Sequence, residues 1–154
     1  MRVMGIKVSS KCVRYAILEK SPDVGIVFLN KEDNRLTFPQ DSQGEAEKMV
    51  WLFNEFTRLL GMNPDIEKVI VKLPESGRME SKASRLSHYL DAMVFLGSAK
   101  QNPPIACTGV QYRTLHTRSA DVLDFVLSKG ICRTLHHWDS KIGDAIAAAL
   151  SGLE

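Results

Sequence analysis

Short β-branched runs give way along the chain to longer stretches of helical period, and this alternation divides the 154 residues into elements. Residues 3–8 and 12–18 flank the polar Ser9-Ser10-Lys11, the pattern of a β-hairpin. Residues 24–29 and 35–38, separated by a charged turn segment, predict one or two further strands that complete an antiparallel meander. Ser42 and Glu45 have capping-box spacing and Gly61 with Pro64 supplies a stop. Between them Met49, Leu52, Phe53, Phe56, Leu59 and Leu60 form one apolar stripe, with Trp51 beside it as packing. Residues 66–73 read as a strand buried on both faces, and residues 74–82 as a polar connection.

The second half alternates in the same way. Ala83, Leu86, Leu90 and Met93 mark a helix with Gly97 as its stop, and Pro103-Pro104 leads into a short strand at 105–107. Residues 110–116 fit a turn or a brief helix, and Ser119 is placed to cap a short helix ended by Gly130. Asp139 is the expected N-cap of the last helix, whose Ile142, Ala145, Ile146, Ala149, Leu150 and Leu153 share a face. The expected architecture is a single α/β domain over residues 1–154. It has a mixed five-stranded sheet, three antiparallel strands followed by parallel ones, with helices on both faces.

Composition narrows the class. With 44% hydrophobic and 25% charged residues the chain has the make-up of an ordinary globular protein, which excludes disordered and collagen-like classes. No apolar run reaches the length of a membrane span and the start does not read as a signal peptide, so the expectation is a cytosolic protein with no membrane partner. Cys12, Cys107 and Cys132 form no CxxC pair and sit beside apolar runs, as buried free thiols do. Cys132, His136 and His137 have a C-x3-H-H spacing but lack the second pair a structural zinc needs. Neither a glycine-rich phosphate loop nor a nucleophile signature is present, so no cofactor, metal or catalytic residue is assigned.

A net charge of +2 permits a polyanion partner without demanding one. Residues 68–100 are locally richer in Lys and Arg than in Asp and Glu. Arg78, Lys82 and Arg85, together with Arg113, are the candidate nucleic-acid contacts. The bland alternative is a solvated charged face.

Several strings carry a resemblance. Gly5-Ile6-Lys7-Val8 with Tyr15-Ala16-Ile17-Leu18 resembles a GIDxGxxxxGYAVL-like opening, and residues 144–150 (DAIAAAL) resemble a DALAxAL-like terminal helix. With the order of elements, these are similar to the RNase H-like superfamily and, within it, to RuvC-type Holliday-junction resolvases. The chain also looks like a small bacterial group of this fold whose catalytic carboxylates have been lost. The resemblance implies two-metal phosphodiester hydrolysis by clustered carboxylates from the first strand, a central strand and the last helix, with Mg²⁺ ions roughly 4 Å apart. Carried over by position, those carboxylates fall on Lys7, Lys72, Lys141 and Asp144, so only one acid remains of a vestigial site. Cations in place of ligands repel Mg²⁺.

Three functions follow from this. The first is a catalytically degenerate protein that binds nucleic acid or a protein partner without hydrolysis. A divergent metal-dependent endonuclease or resolvase is the second, and a pure protein-interaction module, with a homodimer as one form, is the third. Asp144 is expected either to pair with Lys7 or Lys72 or, lying about 170° from the apolar stripe of its helix at roughly 100° per residue, to face water. Trp138, Phe95 and the 24–29 strand are the apolar features expected to show an exposed docking patch.

Overall fold

The computed structural model describes residues 1–77 and 79–154. The hairpin forms as expected, with β1 (Arg2–Val8) and β2 (Cys12–Ser21) antiparallel. Ser9 closes its turn, because its hydroxyl donates to the Cys12 carbonyl at 2.8 Å and accepts from the Cys12 amide at 3.2 Å. β2 is long enough to pair with two strands in succession, β3 (Gly25–Phe28) at its far end and β4 (Arg35–Thr37) at its start. The sheet therefore has five lanes filled by six strands, the outermost lane being shared.

The break in that lane is repaired by a side chain. Between β3 and β4 the Asn30 carboxamide accepts from the Ile17 amide at 2.6 Å and donates to the Tyr15 carbonyl at 3.2 Å, where a strand backbone would otherwise do so. A central strand with unpaired peptide groups would lose about 1–3 kcal/mol for each one left buried, so Asn30 keeps β2 continuous.

The chain then crosses over twice. α1 (Glu45–Met62) returns it to β5 (Ile66–Lys72), which lies parallel to β1, and α2 (Lys82–Ala99) returns it to β6 (Ala106–Val110), parallel to β5. Short helices α3 (Tyr112–Leu115) and α4 (Val122–Ser128) lead to α5 (Ser140–Leu153). The lane order is β3/β4, β2, β1, β5, β6. α1 and α2 cover one face, where Met4, Ile6, Val69 and Val71 meet Leu52, Phe56 and Leu90. α4 and α5 cover the other. The expected mixed α/β sheet with helices on both faces is the observed one, with six strands where five were expected.

Four local expectations are corrected. The Ser42–Glu45 capping box does not form: α1 starts two residues later than that box requires, from Gly44, with no side-chain cap. Gly97 does not stop α2, which runs on to Ala99; a Cβ there would lie 2.8 Å from a ring carbon of Phe56, so the glycine lets α2 cross close to α1. Ser119 caps nothing, since α4 begins from Asp121. Cys132 is exposed, whereas Cys12 is buried and Cys107 half-buried. Trp51 does pack at the rim, edge-on to Phe38 with ring centroids 5.2 Å apart, and Asp139 caps α5 by accepting from the Ile142 amide at 3.0 Å.

α5 positions the site. Apart from Ser151, it is buried on every side from Ile142 to Leu153 rather than along one stripe. Small residues make this possible: a Cβ on Gly5 would run into the Ala145 carbonyl and the Ala149 backbone, so the helix rides directly on β1. Among the described residues no helix is long and apolar enough to cross a membrane.

Candidate functional site

Strand alternation decides which side chains reach α5. Met4, Ile6 and Val8 of β1 point to the α1/α2 face, so Lys7 points the other way; in β5, Val69 and Val71 leave Lys72 on that same α5 side. β1 and β5 pair as far as Ile6 with Val71, which makes Lys7 and Lys72 the next neighbours, at the carboxyl ends of two parallel strands. In an open α/β sheet this is where ligands bind.

Lys72 is 1% exposed and fully engaged. Its Nζ donates to Glu75 Oε1 at 2.8 Å and to the Leu73 carbonyl at 2.7 Å, and lies 3.8 Å from the centre of the Tyr112 ring. Glu75 Oε1 also accepts from the Tyr112 amide at 3.0 Å. Burial acts to raise the Glu75 pKa, but the hydrogen bonds from Lys72 and Tyr112 and the charges of Lys72 and Lys7 outweigh it, so Glu75 titrates below the ordinary range. The Tyr112 hydroxyl donates to Asp144 Oδ1 at 2.5 Å. Lys72, Glu75, Tyr112 and Asp144 thus form one connected chain.

Asp144 therefore does not face water, because α5 is enclosed; it is 4% exposed. Nor does it pair directly with a lysine: its partner is Tyr112, over whose ring Lys72 sits, and Lys72 takes Glu75 as its counterion. Burial raises the Asp144 pKa, opposed by the Tyr112 hydrogen bond and the charges of Lys7 and Lys72.

Lys7 differs. Among the described residues its ammonium has no hydrogen bond or ion pair, and it opens into a cavity of about 420 Å³ lined also by Lys72, Glu75, Tyr112, Lys141 and Asp144. Burial lowers its pKa, as does the charge of Lys72; Asp144, Asp91 and Glu75 act against this. Asp91 reaches the sheet end from α2 on the other face, 5% exposed and with Oδ1 lacking any partner. Burial lifts its carboxyl to about 7 despite the charges of Lys7 and Lys72.

The four positions on which the resemblance places the carboxylates, Lys7, Lys72, Lys141 and Asp144, thus line a single cavity. The candidate nucleic-acid contacts are more scattered. Lys82 and Arg85 are exposed on α2 but outside the cavity lining, and Arg113 is exposed on α3 above a separate depression that also holds Arg118, Asp121 and Asp124. Arg78 lies outside the described residues. Tyr112 and Asp91 were not singled out by sequence, whereas Glu75, with Glu80 and Asp139 one of the acids that could rebuild a metal site beside Asp144, is the counterion of Lys72. A signal existed for Asp91, which with Val94 and Ser98 repeats at i, i+3, i+7 down the buried side of α2.

No protein-family model matches the chain, and no curated protein matches its sequence. Its backbone does have counterparts among solved structures. The RuvC of Thermus thermophilus superposes with a TM-score of 0.74 over 98% of this chain and 92% of its own, both in complex with a Holliday junction substrate and in a second structure, at 13% and 14% identity. The yeast mitochondrial Holliday junction resolvase Ydc2 superposes with a TM-score of 0.62 over 97% of this chain and 78% of its own, at 13% identity.

The fold is that of RuvC. Such a fold implies a pair of Mg²⁺ ions on clustered carboxylates, and the donors here do not fit one. Glu75 is neutralised by Lys72, Asp144 is occupied by Tyr112, and Lys7 adds a further positive charge to the lining of the same cavity. Among the described residues no three His, Cys, Asp or Glu side chains converge as metal ligands would.

Proposed function

We propose that this RuvC-fold protein binds nucleic acid at the carboxyl ends of β1 and β5 and does not hydrolyse it with Mg²⁺. The observation that carries this reading is the pair of lysines, Lys7 and Lys72, at the head of the cavity, with Lys141 on its α5 wall. An unpaired ammonium in a cleft is suited to a phosphate oxygen and unsuited to a divalent cation. Lys82 and Arg85 on α2 extend the positive surface beyond the cleft, and Arg113 is assigned a peripheral contact. The first ligand to try is a four-way junction, since RuvC of the same fold is seen in complex with a Holliday junction substrate.

The experiment is equilibrium binding of labelled four-way, single-stranded and duplex DNA and of RNA over a salt series, alongside cleavage assays with Mg²⁺ and Mn²⁺. The expected result is binding that weakens steeply with salt, drops about tenfold in Lys7→Glu or Lys141→Glu, and leaves the strands intact. No retention at low salt would end this reading. Cleavage abolished by Asp144→Ala would restore a metal-dependent nuclease.

A second reading, a protein-docking module or homodimer, is favoured by one observation. Val24 and Leu29, 75% and 42% exposed, bracket β3 in the outermost lane, where unpaired strand edges recruit partners. Trp138 and Phe95 are half-buried and contribute less. Light scattering over a concentration series tests for the dimer.

A further inference from the structure

Among the described charged groups that line the cavity at the sheet end, Lys7 is one that structural roles leave unexplained. Lys72 has its counterion and carbonyl, and Asp144 its tyrosine, but Lys7 has no partner among the described residues and lines a cavity of about 420 Å³. A second cation, Lys72, stands next to it, and Asp144 and Lys141 face the same space from α5. A lysine that is sheltered from water and crowded by another positive charge holds its proton weakly, and the neutral amine is the form that attacks carbonyl carbon. The burial and the Lys72 charge that lower the Lys7 pKa are the two causes this requires.

We propose that Lys7 is an imine-forming amine, and that the cavity takes an aldehyde carried on a phosphorylated sugar, with Lys141 placed for the phosphate. The Lys7 Nζ lone pair adds to the aldehyde carbon and a C–N bond forms. The carbonyl C–O bond then breaks, and the oxygen departs as water with the two amine protons, which Asp144 is placed to relay. No oxidant or reductant is needed. Such an aldehyde has two sources, the ring-opened sugar of an abasic site in a nucleic acid strand and a free aldose phosphate. Only the first rests on the binding function proposed above.

The test traps the imine. Full-length protein is incubated with sodium cyanoborohydride and either a single-stranded oligonucleotide carrying one abasic site or ribose 5-phosphate, and the modified lysine is located by peptide mass mapping. A lowered pKa raises the neutral fraction of the amine, so labelling of Lys7 is expected to exceed that of the exposed Lys100 severalfold. Lys7→Arg loses the adduct while Lys100→Arg keeps it. Mapping on the unaltered protein does not depend on how either variant folds. Equal labelling of Lys7 and Lys100 with both probes, or an undiminished total adduct in Lys7→Arg, would overturn the inference.

The two arms also separate this inference from the binding reading. Labelling of Lys7 by ribose 5-phosphate in a protein that retains no undamaged oligonucleotide upholds the amine and removes the nucleic-acid ligand. Salt-sensitive binding of undamaged strands, with no preference for Lys7 in either arm, keeps the binding reading and removes the amine.

Discussion

Arg14 and Lys7 are paired residues on adjacent strands of the hairpin, both on the α5 side of the sheet, yet their surroundings are opposites. Arg14 is saturated. Its Nη1 donates to Asp139 at 2.8 Å, Nη2 to the Asn34 side chain at 2.9 Å and to the His137 carbonyl at 2.6 Å, and Nε to the Asn34 carbonyl at 3.4 Å. Lys72, on the other side of Lys7, is saturated too. Across three neighbouring strands, then, two bound cations flank an unbound one. A buried charge kept for architecture is given partners on its polar atoms, as Arg14 and Lys72 are, whereas Lys7 has none among the described residues and lines an accessible cavity.

The strongest break of this comparison is Arg14→Ala. It removes the tie between β2 and the N-cap of α5, strands Asn34, and leaves Asp139 to hold the helix start alone. Losing one member of a buried pair costs roughly 3–5 kcal/mol, and because Asp139 is itself half-exposed the lower end of that range is expected. Urea unfolding measures it. A loss below 1 kcal/mol, within what a surface pair is worth, would mean that Arg14 is no more structural than Lys7.

The next effect concerns Asp91, the orphaned acid behind the cleft. Its folded pKa is raised to about 7 from an ordinary carboxyl value. The folded state therefore holds a proton that the unfolded chain has already released. The stability this contributes is complete below pH 4 and is lost as pH rises through 7, amounting to about 2 kcal/mol between pH 5 and 7. Asp91→Asn should flatten that decline when unfolding is compared at the two pH values. Glu75, whose pKa is lowered, gives the opposite slope, losing stability as pH falls, but in a lower window near and below the usual carboxyl range. An unchanged slope in Asp91→Asn would show that Asp91 is charged and paired after all.

How much of this could be read from sequence divides along the same line. The strands, the crossover order and the Asp139 cap were legible because alternation and capping are local signals. The gathering of Lys7, Lys72, Lys141 and Asp144 followed from the resemblance of two strings and the element order, not from any spacing between them. Partners were not legible. The periodicity of α5 sent Asp144 to solvent, because a helical wheel cannot show that Gly5 lets the helix sink onto β1 and α4 closes its far side. Glu75 looked like ordinary loop charge until Lys72 was seen to need it. Arg14, in mid-strand, gave no sign of its four acceptors on Asn34, His137 and Asp139.

A smaller effect is expected of Tyr112→Phe. The variant keeps the ring under Lys72 but removes the hydroxyl that holds Asp144, leaving a nearly buried carboxylate with the lysine charges alone. A lost hydrogen bond to a charged group is worth roughly 1.5–3 kcal/mol. Access to the cavity restores part of this through water, so about 1 kcal/mol is expected in denaturant unfolding. Tyr112→Leu, which also removes the ring, should cost more. No loss in Tyr112→Phe, with the whole loss confined to Tyr112→Leu, would assign the stabilisation to the ring and detach Asp144 from the chain that begins at Lys72.

Lys7→Met should have the least effect on stability and says the most. If Lys7 has no partner, the variant loses no hydrogen bond and sheds a desolvated charge crowded by Lys72, so stability should stay level or rise by up to about 1 kcal/mol. Arg14→Ala and Lys7→Met then differ in sign or nearly so, although the two residues face each other across one hairpin. Ligand binding should run the other way, with Lys7→Met weakening the retention of nucleic acid and abolishing carbonyl trapping at this position. A clear loss of stability in Lys7→Met would mean that its amine has a partner in the folded protein, and the distinction between bound and unbound cations at the sheet end would fail.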